Sequence, residues 1–190
     1  MNTEEQLAWQ GNIHFYNALS EFYLHQDLYS LSSMMQSMLE TQYADRAKKI
    51  IEYIHHEDHK LLTDSEVKVL KDDEPFLERK YSQADPAQTF LYYKNSGYEI
   101  ENLEADHLGV ELKFLAILGI ETLEKEDIAL NAPKELRFIN NRFEWLNSLL
   151  ETLRNDPRGL RLTQEVVALT IDYLHAHKKF LTRLTIKESK

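Results

Sequence analysis

The stretch Glu101-Asn-Leu-Glu-Ala-Asp-His-Leu-Gly-Val-Glu-Leu-Lys-Phe-Leu-Ala-Ile-Leu118 decides the fold, because it joins an acidic turn to an apolar segment. The apolar half repeats leucine at spacings of four, three and three residues, at Leu108, Leu112, Leu115 and Leu118. That spacing places the four side chains on one stripe of an α-helix. Asp106, His107 and Glu111 stand where this helix begins. The stretch therefore predicts a buried helix that is entered through an ionisable turn.

The turn before this helix is strongly acidic. Between Lys94 and Lys113 the chain has no lysine or arginine, and it carries these acidic residues: Glu99, Glu101, Glu104, Asp106 and Glu111. A concentration of carboxylates attracts cationic partners and steers their approach at low salt. The simpler alternative is that the acidic residues only keep the protein in solution.

Composition indicates an all-α protein. The 190 residues are 43% hydrophobic, enough for a sizeable core, and include only five Gly and four Pro. Few turn-forming residues favour long helices over many short strands. We predict that residues 1–190 form a single globular bundle of about six or seven helices, with an irregular hinge segment at about residues 72–100.

Several classes of protein are disfavoured by charge and residue content. The formal net charge of −10 argues against a nucleic-acid-binding face. The absence of cysteine removes disulfides, thiol nucleophiles and Cys-ligated zinc, and fits a cytoplasmic protein. No secretory leader and no run of 18 apolar residues is visible, so we expect no membrane insertion.

Helical periodicity and capping signals predict the individual helices. In the N-terminal half they begin near Glu4, after Asp27, at Ala44 and at Thr63 or Asp64. In the C-terminal half the central helix extends to about Leu123, one helix runs from Pro133 to Leu153, and the last ends near Leu184. Asp85-Pro86 is interpreted as a helix break.

Two Glu-x-x-His pairs raise the possibility of metal chemistry: Glu52 with His55, and Glu104 with His107. Such pairs, with further glutamates from two other helices, hold the metals of ferritin-like di-iron bundles. His55, Glu52 and His59 are also spaced to form a surface site for zinc or nickel. The alternative for both is a polar helix end, and only Glu21 qualifies as a further inward carboxylate. We predict no bound metal or cofactor.

Asp106 and His107 allow two interpretations from chemistry alone. They could act as a general acid–base pair, but no nucleophile, phosphate loop or third orienting group accompanies them in sequence. Alternatively, Asp106 caps the helix by accepting backbone N–H bonds. Capping is favoured, although it does not account for the surrounding acidity.

Residues 106–115 resemble the Asp-His-x-x-x-Glu-x-x-Phe signature of the TorD/DmsD (NarJ-type) family of molybdoenzyme maturation chaperones. Two flanking stretches are also similar to family helices, namely residues 15–23 and residues 138–145, which end in Trp145. The chain departs from the family pattern before Asp106, where a proline is often found, and between Phe76 and Tyr93. The resemblance implies an all-helical cytoplasmic chaperone that is not an enzyme.

The resemblance further implies a ligand, the twin-arginine signal peptide of an apo-form molybdenum-cofactor oxidoreductase, held until cofactor insertion. Carboxylates suit its guanidinium groups and an apolar groove suits the following run. On this basis the peptide-binding residues are Glu104, Asp106, His107, Glu111, Tyr92, Tyr93 and Tyr98. We expect the three tyrosines to be partly accessible and Trp145 to be buried. A monomer or a dimer formed by helix exchange through the hinge segment is compatible with this role.

Overall fold

The computed structural model of the protein describes residues 3–55, 57–100, 104–125 and 127–188, without the side chains of residues 57–63, 73, 187 and 188. Within that part every regular element is helical, which confirms the all-α prediction. The elements are α1 Thr3–His25, α2 Leu28–Ser37, α3 Ala44–His55, α4 Glu57–Asp73, the short 3₁₀ turn Glu78–Lys80, α5 Pro86–Asn95, α6 Leu108–Lys125, α7 Ile128–Arg142, α8 Leu146–Asn155 and α9 Arg161–Glu188. Among these described helices, none combines the length and the apolarity needed to cross a membrane.

The described part of the chain has nine α-helices, so the predicted count of six or seven was too low. Asp85-Pro86 starts α5 instead of breaking the chain, because Asp85 caps it and Pro86 occupies the first turn, where its missing N–H costs nothing. The segment predicted as an irregular hinge therefore contains a helix. The single helix predicted from Pro133 to Leu153 is two helices, since α7 ends at Arg142.

Two predicted helix starts were also misplaced. The helix α4 begins at Glu57 and continues through Thr63 and Asp64, which had been interpreted as caps. The helix α7 is capped by Asp127, whose carboxylate accepts the backbone N–H of Leu130 at 3.0 Å. Pro133 consequently lies inside α7 and not in its first turn. Tertiary packing of the following apolar face outweighs the backbone hydrogen bond that proline removes.

The helices α1 and α6 form the most extensive helix pair in the core. Gly109 allows close approach, because a Cβ placed there would lie 2.5 Å from Leu24 Cγ and 3.1 Å from the backbone oxygen of Ser20. The Ser20 hydroxyl donates to the Gly109 carbonyl oxygen at 2.9 Å, which ties the two backbones together. The predicted apolar stripe of the central helix is buried, as expected for a helix inside a bundle.

We expect Gly109→Ala to lower the free energy of unfolding by about 1–3 kcal/mol, because the backbone of α1 cannot move away from the new methyl group. Urea denaturation followed by circular dichroism measures the change. Gly11→Ala is the matched control, since it lies in α1 with open space around it and should stabilise the protein by about 0.5–1 kcal/mol. Equal effects of the two changes would contradict the close packing at Gly109.

Candidate functional site

The turn that precedes α6 is held by the residues that lead into the 3₁₀ turn. Leu77 and His107 form an isolated antiparallel bridge. The backbone N–H of Glu78 donates to the Asp106 carbonyl oxygen at 2.9 Å, and that of Leu108 donates to the Phe76 carbonyl oxygen at 2.8 Å. The turn is therefore fixed by backbone hydrogen bonds to residues about thirty positions earlier, before any side chain is considered. Residues 101–103 of the quoted stretch lie outside the described residues.

The helix cap is His107, so the prediction that Asp106 caps α6 was wrong. The His107 carbonyl oxygen accepts the backbone N–H of Glu111 at 3.0 Å, which makes His107 the residue before the first helical turn. Its Nδ1 accepts the backbone N–H of Gly109 at 3.1 Å. Burial lowers the pKa of His107 to about 4, so its ring is neutral near pH 7 and Nδ1 is free to accept. The arrangement supports a structural role for this ring.

Asp106 instead binds an arginine from the 3₁₀ turn. Arg79 Nη1 donates to Asp106 Oδ1 at 3.0 Å and to Glu104 Oε2 at 2.8 Å. The backbone N–H of Arg79 donates to the other Asp106 oxygen at 3.1 Å. The Asp106 side chain is completely buried, whereas that of Glu104 is 55% exposed and that of Arg79 is 34% exposed. The guanidinium lowers the pKa of Glu104, so this carboxyl is ionised near pH 7.

A second arginine neutralises the next carboxylate along the helix. Arg142, at the end of α7, donates from Nε to Glu111 Oε1 at 3.1 Å and from Nη2 to Thr89 Oγ1 at 2.8 Å. It also forms an ion pair with Glu78. The Glu111 side chain is completely buried. The prediction that Glu111 is available to a ligand is therefore not supported by its position, because its carboxyl is enclosed and paired.

The two carboxyls at Arg142 share one cation. Burial raises the pKa of Glu111 well above its ordinary value, although Arg142 opposes the rise. Burial also raises the pKa of Glu78, again opposed by Arg142. Two buried carboxylates and one guanidinium would carry a net negative charge, which burial disfavours. The cluster connects the 3₁₀ turn, α5, α6 and α7, so its physical role is to hold these four elements together.

The three tyrosines do not share one environment. Tyr93 is only 1% exposed, so the expectation that it is partly accessible was wrong. Its ring packs against Phe114 and Phe138, at centroid distances of 4.8 and 6.2 Å. Tyr92 is 37% exposed. Tyr98 is partly buried and meets the Phe114 ring edge to face at 5.0 Å.

An apolar cleft of about 150 Å³ opens beside the first turns of α6. Its lining is mainly hydrophobic and includes Leu24, Tyr93, Tyr98, Val110, Phe114 and Ile117. Lys113 and Glu99 stand at its polar margin. Elsewhere, α5 exposes Phe90, Leu91 and Tyr92 to solvent. Apolar surface of this kind is suited to receiving the hydrophobic side chains of a partner.

The proposed metal ligands are occupied in other ways. His55 Nε2 lies 2.6 Å from Ser32 Oγ, and Glu104 is paired with Arg79. Among the residues that the structure describes, no three histidine or acidic side chains come together as metal ligands. The His59 side chain, part of the suggested surface site, lies outside the described residues. The di-metal alternative gains no support from the described part of the chain.

A third polar cluster lies inside the bundle. His177 of α9 lies 2.7 Å from the Tyr16 hydroxyl through Nδ1 and 3.5 Å from Glu135 Oε2 through Nε2. Burial lowers the pKa of His177 to about 3, so its ring is neutral near pH 7, and burial raises the pKa of Glu135. Thr122 donates to Glu135 at 3.3 Å. The cluster is enclosed among α1, α6, α7 and α9, so its physical role is to position these helices.

Sequence reasoning missed both arginines of the site. Arg79 and Arg142 lie 27 and 31 positions from Asp106 and Glu111, their respective partners. The signal available in the sequence was an absence. The acidic turn has no lysine or arginine close to it in sequence, and buried carboxylates require a cation, so the cation had to come from a distant part of the chain. Comparison of the chain with protein-family models, curated proteins and solved structures returns no match. Functional assignment therefore depends on the site and on the resemblance of residues 106–115.

Proposed function

We propose that this protein is a cytoplasmic, non-enzymatic chaperone that binds the twin-arginine signal peptide of an apo-form molybdenum-cofactor oxidoreductase. The observation that supports this most directly is the guanidinium held between Glu104 and Asp106. One nitrogen of this guanidinium, Arg79 Nη1, contacts both carboxylates, so the pair accommodates an arginine side chain. Charge-assisted bonds of this type are stronger and shorter than neutral ones.

The apolar cleft supports the second half of the proposal. A twin-arginine signal peptide presents two arginines followed by an apolar, helix-prone run. Val110 lines the cleft and follows Asp106 by four residues, so the acidic turn leads directly into the helix that forms one wall of the cleft. Tyr98 contributes its ring to this cleft, as does Tyr93 of α5. The mode is an apolar segment docking in a groove with charged residues at one end.

Within this proposal the predicted site residues have different roles. Glu104 is the accessible carboxylate, and Tyr92 and Tyr98 offer ring surface. Asp106 is the buried carboxylate, which accepts a hydrogen bond from the guanidinium without being exposed to solvent. His107, Glu111 and Tyr93 support the turn and the cleft from inside, since His107 caps α6 and the other two are enclosed.

Glu104→Gln is expected to weaken binding of a twin-arginine peptide about three- to tenfold, because an exposed charge-assisted contact is lost. Isothermal titration calorimetry at low and moderate salt measures the change, and binding to the parent protein should fall as salt rises. Glu151→Gln is the control: this residue is exposed on α8, so the net charge changes equally at a different place. Equal weakening of peptide binding by the two changes would mean that the protein attracts the peptide through its net charge and that Glu104 is not part of a binding site.

A further inference from the structure

We infer that Arg79 is an internal competitor that occupies the guanidinium receptor of the resting protein, and that a peptide arginine binds by exchange with it. The inference rests on the proposed function, because it assigns a regulation to the same carboxylates. The receptor is formed by Glu104 and Asp106, and the occupant comes from the 3₁₀ turn of the same chain. The protein therefore carries its own substitute for the ligand.

The contacts of Arg79 are those that a ligand arginine would need. One nitrogen, Nη1, reaches Glu104 Oε2 at 2.8 Å and Asp106 Oδ1 at 3.0 Å. The Asp106 side chain has no exposed surface while Arg79 is in place. A second guanidinium can reach Asp106 only after the Arg79 side chain has moved away. Binding that uses both carboxylates is consequently exclusive with the resting contact.

The backbone around Arg79 allows this exchange without unfolding. The Arg79 backbone N–H is bonded to Asp106 Oδ2, and the N–H of Glu78 is bonded to the Asp106 carbonyl oxygen. Neither bond involves the guanidinium, so the 3₁₀ turn remains docked when the side chain swings outward. The Arg79 side chain is already 34% exposed, which gives it a route to solvent. Asp106 is left without a cation only in the interval between the two arginines.

Competition with the resident arginine weakens the binding of every cationic peptide. When the binding-competent state is only partly populated, the apparent affinity of every ligand falls by that fraction. A lysine ammonium is more strongly hydrated than a guanidinium, so a lysine peptide starts from a lower affinity for the two carboxylates. The same reduction therefore brings a lysine peptide below measurable binding before it does so for an arginine peptide. Removing the resident arginine should help a lysine peptide as well as the arginine peptide.

The experiment compares the parent protein with Arg79→Gln and with the control Arg46→Gln, by isothermal titration calorimetry with a twin-arginine peptide and its twin-lysine analogue. Arg46 also pairs with two carboxylates, of Glu165 and Asp172, so both variants lose one positive charge from a comparable contact. We expect Arg79→Gln to bind the arginine peptide about fivefold or more tightly than the parent and to gain measurable binding of the lysine peptide. Arg46→Gln should stay within about twofold of the parent.

The outcomes separate the two proposals. If neither the parent nor Arg79→Gln binds the arginine peptide, the proposed function is wrong. If both bind it equally, or the variant binds less tightly, the competitor role is overturned and the proposed function stands. A second measurement uses the parent protein and does not depend on folding of the variant: the Nε–H resonance of Arg79 in nuclear magnetic resonance spectra. It should move toward the position of a solvated arginine when the peptide is added, and a saturated complex in which it does not move contradicts exchange.

Discussion

Trp145→Ala is expected to lower the free energy of unfolding by about 3–5 kcal/mol, the cost of deleting a large aromatic side chain from a core. Trp145 lies between α7 and α8 and is 4% exposed, which confirms the prediction that it is buried. Its ring stacks on Tyr81 with centroids 5.6 Å apart and planes at 13°. The side chain therefore joins the α7–α8 corner to the segment that follows the 3₁₀ turn. Truncation of the side chain leaves a cavity between the α7–α8 corner and this segment.

Thermal and urea denaturation of Trp145→Ala measure the effect. For a chain of this size each 1 kcal/mol corresponds to roughly 2–4 °C in melting temperature. Trp145→Phe is the matched control, because it keeps an aromatic ring against Tyr81 and should retain much of the stability. A Trp145→Ala protein with the melting temperature of the parent would show that this corner contributes nothing to the core.

Arg142→Met should be comparably severe, with a loss of about 3–5 kcal/mol near pH 7. The change leaves the carboxyls of Glu78 and Glu111 buried without their cation, and an uncompensated buried charge is among the most costly single defects. Denaturation at a series of pH values measures the loss. Arg46→Met is the control, because its partners Glu165 and Asp172 are more exposed and such pairs contribute about 0–1 kcal/mol.

The pH dependence of this loss has a definite sign. Burial raises the pKa of Glu111 and Glu78, and Arg142 lowers both, so removing Arg142 raises them further. A carboxyl whose pKa is higher in the folded state binds protons more tightly when folded, so stability rises as pH falls through the folded pKa toward the ordinary value of about 4.5. The deficit of Arg142→Met should be greatest near pH 8 and smaller near pH 5. A deficit that is independent of pH would mean that the lost packing of the arginine stem, not charge, dominates.

Most of the helical structure was predictable because it depends on local pattern. The stripe of leucines in α6 follows from spacing alone, and Asp27 caps α2 as predicted, accepting the backbone N–H of Tyr29 at 2.9 Å. Errors occurred where one local signal has two structural meanings. Proline after aspartate can end a helix or occupy its first turn, and Pro86 does the second. Pro133 shows the opposite case, in which packing keeps a helix intact through a residue that disfavours it.

The candidate site was predictable in position and not in its internal contacts. Glu104, Asp106 and His107 do form a turn before a buried helix, as their sequence indicates. Which of them reaches solvent could not be read from the sequence, because exposure of a turn depends on what packs over it. The prediction treated the acidic turn as uncompensated, whereas the fold supplies Arg79 to the turn and Arg142 to Glu111 from distant elements.

The sequence by itself determined the all-helical class, the central helix and the place where ionisable residues meet the core, since helical period and charge are properties of neighbouring residues. Only the tertiary structure decided that His107 caps the helix, that Asp106 and Glu111 are buried, and that each carries an arginine. The physical reason is the cost of burying a carboxylate without a partner. That cost requires a cation nearby in space, but it does not specify where in the chain the cation is found.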